Sequence, residues 1–323
     1  MLKCPKKRFD CEFGKKLIKY LDPLADISMI NNGWCWKKFG EQFGYLEPKV
    51  IEYFEQAKEG DPSYAVYNLV RDCNLNKKWA RKFINNCKIG DPCYSAYLLL
   101  YHCDNFDIKW FKKVIKNSKI GDPVYAAYAA YNLSNLKLDI HWLKQIIINS
   151  KIGNPSIVTY SLYNNEKIDI DWTIDFISNC KIGDPANEIY QLFINGNLNQ
   201  KKMKKIIKKI HVGNPAYIAY CLVKYGVNMK WVKKIIENSK TGDPSESAYL
   251  MVRNYNLDID WAKKIIENSK TGDPAVAAYQ LFVFCDAGVD WIQKIINKCK
   301  IGNLEYIKRL LIKRHNINVS EIK

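Results

Sequence analysis

Apolar residues recur along most of the chain with the spacing of short amphipathic helices, in units of about thirty residues. A Gly-Asp/Asn-Pro triplet marks each unit, and a degenerate copy, Gly302-Asn303-Leu304, follows the last one. The glycines of these nine copies are separated by 30, 31, 32, 30, 30, 29, 30 and 30 residues. Self-similarity at such a period predicts a repeat architecture. The complete triplets begin at Gly60, Gly90, Gly121, Gly153, Gly183, Gly213, Gly242 and Gly272.

The triplet predicts a corner between two helices with almost no loop. Gly supplies a left-handed residue that ends one helix, and Asp or Asn caps the next. Pro then occupies the first helical position, where its missing N–H costs nothing. A Lys or His two residues before the glycine complements the dipole at the end of the preceding helix.

Two helices are predicted in each unit. The first runs from the Pro, with apolar residues one, four, five and eight positions later and a Tyr always five positions later. The second begins at a polar cap such as Asp107, and a Trp follows three residues later in seven units, with Met203 in its place once. We interpret the Trp, the apolar pair after it and a small Ser or Cys eight residues after it as one buried helical face.

These patterns predict an all-α fold, an α-solenoid of about eight two-helix repeats over residues 60–323 with a polar C-terminal cap. The units resemble short helix-pair repeats found in proteins of large DNA viruses and phages, with Gly-Asp-Pro corners and Tyr-rich first helices. The resemblance covers about residues 60–314. It implies an architecture, and a viral origin, but no particular activity.

Residues 1–59 lack the triplet and are expected to form a separate helical bundle. Helices are predicted at residues 15–21 and from Glu47, on either side of a Trp36-x-x-Phe39-x-x-x-Phe43-Gly44 segment. Together with Leu21-Asp22-Pro23 and Ile51-x-x-Phe54, this order resembles a death domain, which would extend to about residue 103. The resemblance implies a six-helix signalling module. The alternative is a bundle that caps the first repeat.

Composition adds a strong positive charge. The 323 residues include 50 basic and 33 acidic side chains, a formal charge of +17, of which +15 lies beyond residue 60. Basic pairs follow the Trp by two and three residues, so stacked repeats would align them into rows that could follow phosphates. Only six residues are Arg, which weakens this interpretation, and a genome rich in A and T would also produce the lysines. The candidate cations are Arg81, Lys82, Lys112, Lys113, Lys144, Lys204, Lys205, Lys233, Lys234, Lys263 and Lys264.

The tyrosines allow two interpretations. Tyr five positions after the Pro is expected to be buried, with its hydroxyl bonded between repeats. A binding stripe is favoured where a second Tyr lies three residues earlier, at Tyr64, Tyr94, Tyr125 and Tyr217.

Catalytic and metal chemistry are not suggested by the pattern. Four His are scattered, no Cys pair is spaced C-x-x-C, and the carboxylates are explained as helix caps. We therefore predict no enzyme, no metal and no small-molecule cofactor. Without a signal sequence or an apolar run near 18 residues, a reducing, cytoplasmic location and no membrane contact are expected. An apolar share of 48% excludes disorder for most of the chain.

Three functions remain open. The first is a scaffold that binds another protein along its repeats. The alternative is a basic repeat protein that binds nucleic acid through its lysine rows. A third is a signalling adaptor or decoy that acts through the death-domain-like N-terminus.

Overall fold

The computed structural model describes residues 16, 19–20, 47–73, 75–104 and 106–317. Among these residues all regular structure is helical, with eighteen α-helices and two short 3-10 helices, which confirms the all-α class. The segment from Trp36 to Gly44, on which the death-domain resemblance rests, lies outside the described residues.

The chain forms two compact units, Met1–Val158 and Thr159–Lys323. The helices that begin in the first are α1 Glu47–Gln56, α2 Pro62–Cys73, α3 Lys77–Asn86, α4 Pro92–His102, α5 Ile108–Asn117, α6 Pro123–Tyr131, α7 Ile140–Asn149 and α8 Pro155–Asn164. Those of the second are α9 Ile170–Asn179, α10 Pro185–Ile194, α11 Gln200–Ile207, α12 Pro215–Cys221, α13 Met229–Asn238, α14 Pro244–Tyr255, α15 Ile259–Asn268, α16 Pro274–Cys285, α17 Val289–Lys298 and α18 Leu304–His315.

The helices alternate as the predicted pairs. In the first unit α2 packs on α4 and α4 on α6, so successive first helices lie side by side. In the second unit α10, α12, α14, α16 and α18 pack on one another in the same order. Each second helix from α11 onward packs against the first helix of its own pair, as α11 does on α10 and α13 on α12. Contact between nearest neighbours is what holds repeat arrays together.

The corner differs from the predicted one in where the helix ends. All nine glycines of the triplets have φ between +70° and +91°, as expected. However, α5 ends at Asn117, and five residues separate it from α6, so the prediction of almost no loop is wrong. Ser118 is extended, with φ −67° and ψ 136°, and its hydroxyl donates to the Ile120 carbonyl at 2.8 Å. The recurring Ser or Cys therefore ends the helix and does not belong to its buried face.

The corner aspartate joins one repeat to the next. Asp122 Oδ1 accepts from the Tyr125 N–H of its own helix at 2.9 Å, and Oδ2 accepts from the Asn154 N–H of the following corner at 3.3 Å. The corner glycine allows the aspartate of the preceding corner to lie this close. A β-carbon on Gly121, for example, would lie 2.8 Å from Asp91 Cγ. The glycine is thus required for close contact as well as for its positive φ. The same cross-repeat bond is made by Asp91, Asp184, Asn214, Asp243 and Asp273.

The core of each second helix lies one residue beyond the Trp. Residues at this position, such as Val232, are fully buried in every repeat. Residues four positions later, such as Ile236, are exposed by at most a few per cent. Met203 holds this buried position, so its assignment to the Trp position is wrong. Lys202 lies three residues after the cap Asn199, and its backbone N–H donates to Asn199 Oδ1 at 2.8 Å. Lys202 is therefore the residue that replaces Trp.

Helix α1 packs as a second helix would. Its buried Val50 and Phe54 are four residues apart, like the core positions of α3. The Phe54 ring lies 6.2 Å from Trp79 and 5.8 Å from Phe83, both edge-on. The helix predicted from Glu47 therefore covers the first repeat.

Candidate binding surfaces

The two members of each basic pair have different environments. The first is half-buried and places its charge over the Trp of the next repeat: Lys233 Nζ lies 4.9 Å from the Trp261 ring centroid. A cation over an indole ring is stabilised by the quadrupole of the ring. These predicted surface cations thus join repeats. The same contact is made by Arg81 with Trp110, Lys112 with Trp142, Lys204 with Trp231 and Lys263 with Trp291, and Lys144 holds the equivalent position in α7.

At one position of the repeat series both partners of this contact are absent together. Helix α9 has the buried Ile174 where six other second helices have Lys or Arg and the last, α17, has Gln293. The next second helix after α9 has Lys202 where the others have Trp. Lys202 Nζ instead lies 4.0 Å from Asp171 Oδ1. The joint loss indicates that the cation and the ring act as a pair.

Two of the rings are also held through the indole N–H. Trp261 Nε1 donates to Glu237 Oε1 at 2.6 Å, and Trp291 Nε1 donates to Glu267 Oε1 at 2.8 Å. The glutamate and the lysine above the ring come from the same preceding helix, four residues apart. Because each ring is covered and its N–H is engaged, neither is placed to stack on a nucleic-acid base.

The second member of each basic pair is exposed. This row consists of Lys82, Lys113, Lys205, Lys234 and Lys264, and Lys294 continues it. Exposed lysines at the corners, such as Lys88 and Lys119, lie six residues further along. The two sets carry charge that packing does not use.

These lysines line equivalent grooves between consecutive second helices, which we call the lysine grooves. One lies between α3 and α5, one between α13 and α15, and one between α15 and α17. Each groove contains three lysines. One is the corner lysine of the first repeat, and the other two are the exposed lysine of the basic pair and the corner lysine of the next repeat. The lysines are Lys88, Lys113 and Lys119 in the first groove, Lys240, Lys264 and Lys270 in the second, and Lys270, Lys294 and Lys300 in the third.

The tyrosines five positions after the Pro match the expectation in part, because two are buried and six are half-buried. Tyr67 and Tyr249 are buried, and their hydroxyls accept from Arg71 and Arg253 of the same helix at 2.9 and 2.8 Å. Burial raises the pKa of Tyr67 to about 12, although Arg71 opposes the shift. Other hydroxyls accept from the next repeat, Tyr160 from Asn195 at 2.9 Å and Tyr220 from Asn254 at 2.6 Å.

The tyrosines two positions after the Pro differ in exposure. Tyr125 is 44% exposed and Tyr217 is 40% exposed, whereas Tyr64 and Tyr94 are half-buried. In the first unit the Tyr94 and Tyr125 rings lie 6.3 Å apart, and Tyr101, on the same helix as Tyr94, is 52% exposed. We call Tyr64, Tyr94, Tyr101 and Tyr125 the tyrosine face. The helices that carry it, α2, α4 and α6, contain no Lys.

Two titratable groups of the described residues, Cys93 and Glu188, are buried and have raised pKa values. No group of three His, Cys, Asp or Glu in this part of the chain could hold a metal ion. Burial raises the pKa of the Cys93 thiol to about 12, which keeps it protonated and unreactive. Glu188 is 2% exposed, and its burial raises the pKa of its carboxyl to about 7.

Sequence reasoning missed both the pairing of the lysines with Trp and the grooves. The signal for the pairing was present, because the cation and the ring are lost together at Ile174 and Lys202. The grooves follow from the packing of neighbouring helices, which the pattern within one helix does not contain.

Comparisons of the chain with family models, with curated proteins and with solved structures found no match. Across the described ranges, none of the helices has the length and apolar character needed to cross a membrane.

Proposed function

We propose that this protein is a non-enzymatic repeat scaffold that binds another protein through the tyrosine face. The observation that carries the proposal is a row of tyrosines at equivalent positions of three successive first helices, Tyr64, Tyr94 and Tyr125, of which Tyr125 is 44% exposed and the other two are half-buried. Tyr101, on the same helix as Tyr94, adds a ring that is 52% exposed. Tyr is enriched in protein interfaces, because it offers a large apolar ring, a hydroxyl and little rotamer entropy to lose.

The charge around these rings favours protein over nucleic acid. Exposed aromatic side chains also stack on bases, but such sites combine the rings with cations that neutralise phosphates. Helices α2, α4 and α6 carry one Arg, Arg71, which is bonded to Tyr67, and no Lys. The tyrosine face therefore lacks the charge that a nucleic-acid backbone requires.

The tyrosine face is held rigidly before any partner arrives. Asp91 and Asp122 cap α4 and α6, and Asp91 also accepts from the Asp122 N–H, so the two helix starts are fixed to each other. Ring contacts continue this order, since Tyr97 and Tyr101 stack with an interplanar angle of 1°. A preorganised surface loses less entropy on binding.

Site-specific photo-crosslinking tests this proposal. A photoreactive amino acid is placed at Tyr125 of the full chain in the native cell, and in a second version at Ile312, which is 54% exposed on α18. We expect a defined protein adduct at position 125 that is absent at position 312. The adduct should fall at least about fivefold when Tyr94→Ser and Tyr101→Ser are added, since central aromatic residues dominate interface energy.

Two results would contradict the proposal. One is crosslinking at position 125 no greater than at position 312. The other is a protein adduct that survives both serine substitutions while circular dichroism shows the chain still folded.

A further inference from the structure

The lysine grooves form a second surface whose chemistry differs from that of the tyrosine face. The grooves lie between second helices, whereas the tyrosines lie on first helices. Each groove has a triad of lysines from equivalent positions of two neighbouring repeats. Among the described residues, no ion pair engages the ammonium groups of these triads.

The groove between α3 and α5 has the largest charge. It is lined by Lys78, Arg81 and Lys82 in addition to its triad, and by no carboxylate. The grooves of the second unit each include one glutamate, Glu237 or Glu267. Both glutamates accept from a Trp N–H, so they are held toward the ring. All three grooves therefore attract anions, and the first most strongly.

A ligand with evenly repeated charge fits a site that is itself repeated. Equivalent triads recur with the repeat, and neighbouring grooves of the second unit share Lys270. A phosphodiester backbone presents such a uniform charge, whereas the acidic residues of a protein follow its own sequence. Lysine binds phosphate as a point charge and does not require the fixed geometry of an Arg fork.

Two observations argue against base recognition as the source of binding. The Trp rings between the helices that form the grooves are covered by cations: Arg81 lies 5.7 Å from the Trp110 ring centroid, Lys233 4.9 Å from that of Trp261 and Lys263 5.5 Å from that of Trp291. Side chains of the kind that pair with base edges also line the grooves, but several are engaged within the protein. Arg81 forms an ion pair with Asp107, and Asn86 and Asn268 donate to the backbone carbonyls of Lys82 and Lys264. Binding therefore depends on phosphate and ionic strength, and does not depend on sequence.

We propose that the lysine grooves bind the phosphate backbone of a nucleic acid without reading its sequence. This function goes beyond the binding of a protein at the tyrosine face and uses residues of the other helix of each pair.

Fluorescence anisotropy of the full chain tests the proposal. The probes are single- and double-stranded DNA and single-stranded RNA of two unrelated sequences, with labelled polyglutamate as the competing polyanion. A triple variant, Lys88→Gln, Lys113→Gln and Lys119→Gln, is compared with a matched one, Lys137→Gln, Lys167→Gln and Lys224→Gln. The matched lysines lie in connections from a first to a second helix and line none of the three grooves.

We expect the protein to bind nucleic acid at about 50 mM salt. The logarithm of the association constant should fall linearly with the logarithm of the salt concentration. The groove variant should weaken it about tenfold or more and reduce the slope by about two to three, because each phosphate contact contributes about one. The matched variant should leave the slope unchanged within about 0.5, at the same net charge. Circular dichroism of both variants should match that of the unaltered chain.

The proposal is overturned by no binding of any nucleic acid at that salt concentration, or by equal losses in the two variants. It is also overturned if polyglutamate binds more tightly than every nucleic acid, which would indicate an acidic protein as the ligand. A difference above about tenfold between the two sequences would show base recognition and would equally contradict it. None of these results bears on crosslinking at the tyrosine face, so the two proposals fail separately.

Discussion

Glu188 places a carboxyl group where other repeats have small or apolar side chains. It lies three residues after Pro185, and the equivalent residues of the other complete repeats are Ala, Ser, Val or Ile. The side chain is 2% exposed, and Asn187 Nδ2 donates to its Oε1 at 3.3 Å. Burial penalises the charged form, so the folded protein favours the protonated carboxyl.

Replacing this carboxyl tests the cost of burying it. Its pKa rises from 4.5 to about 7 on folding, so its contribution to stability is complete below pH 4.5 and is lost as the pH rises through 7. Glu188→Gln should therefore raise the free energy of unfolding at pH 8 by roughly 2–3 kcal/mol and have little effect at pH 4. Urea denaturation at both pH values measures this difference.

The control for this experiment is Glu166→Gln, which changes an exposed carboxyl in the connection between α8 and α9. It should alter stability by less than about 0.5 kcal/mol at either pH. Equal effects of Glu188→Gln at pH 4 and pH 8 would show that ionisation of Glu188 does not affect folding.

At the scale of the helix, the cation over the Trp links five pairs of consecutive second helices in the described part of the chain. The position where both partners are missing, Ile174 and Lys202, allows the link to be restored. Ile174→Lys alone should destabilise the protein, because it replaces a buried apolar side chain. Combined with Lys202→Trp, it should recover about 0.5–2 kcal/mol relative to the sum of the single changes.

A double-mutant cycle by chemical denaturation measures this coupling. The control pairs Lys202→Trp with Asp175→Lys, which places the same side chain at the exposed position one residue further along α9, with a charge change of two units in place of one. Lysines at that position cover no ring in the other repeats, so the control cycle should show coupling below about 0.3 kcal/mol. Equal coupling in both cycles would mean that charge alone, without the stacked geometry, produces the effect.

Much of each element could be predicted from sequence, because its causes are local. The Gly-Asp-Pro triplet contains its own backbone conformation and cap. The positive φ was confirmed at every glycine of the series, and the side-chain cap at every complete triplet except that of Asp184. The end of the second helix was misplaced because Ser118 was interpreted as a buried small residue, although its hydroxyl closes a hydrogen bond two residues ahead. Met203 was misplaced for a similar reason: an apolar residue was expected to replace Trp, although the distance from the cap Asn199 indicates Lys202.

The candidate surfaces were predictable only in part. Lys233 and Lys234 are adjacent and chemically identical in the sequence, yet one covers Trp261 and the other is exposed. The difference depends on the neighbouring repeat, which no pattern within one helix contains. The outward position of Tyr125, by contrast, follows from its place two residues after the Pro, and its membership of a binding surface stays a prediction.

Across the whole molecule, the two helices of each pair carry different surface chemistry. First helices of the first unit present tyrosine and no Lys, whereas second helices of both units present lysine triads. The positive charge behind the net value of +17 is therefore concentrated on the second helices and the corners, and is not spread evenly over the chain. The two proposed binding surfaces therefore share no residue.

Because each repeat is stabilised by its neighbours, loss of a terminal helix should weaken the array progressively from that end. Helix α18 buries Leu311 completely against the second unit, whereas the adjacent Ile312 is 54% exposed. Leu311→Asp should release α18 and lower amide protection most in α16 and α17, less in α14 and least in α10, as followed by hydrogen exchange with mass spectrometry. Ile312→Asp adds the same charge beside it and should leave all four helices protected. An equal loss of protection in α10 and α16 after Leu311→Asp would show that the second unit unfolds as one cooperative body, and would contradict stabilisation by nearest neighbours.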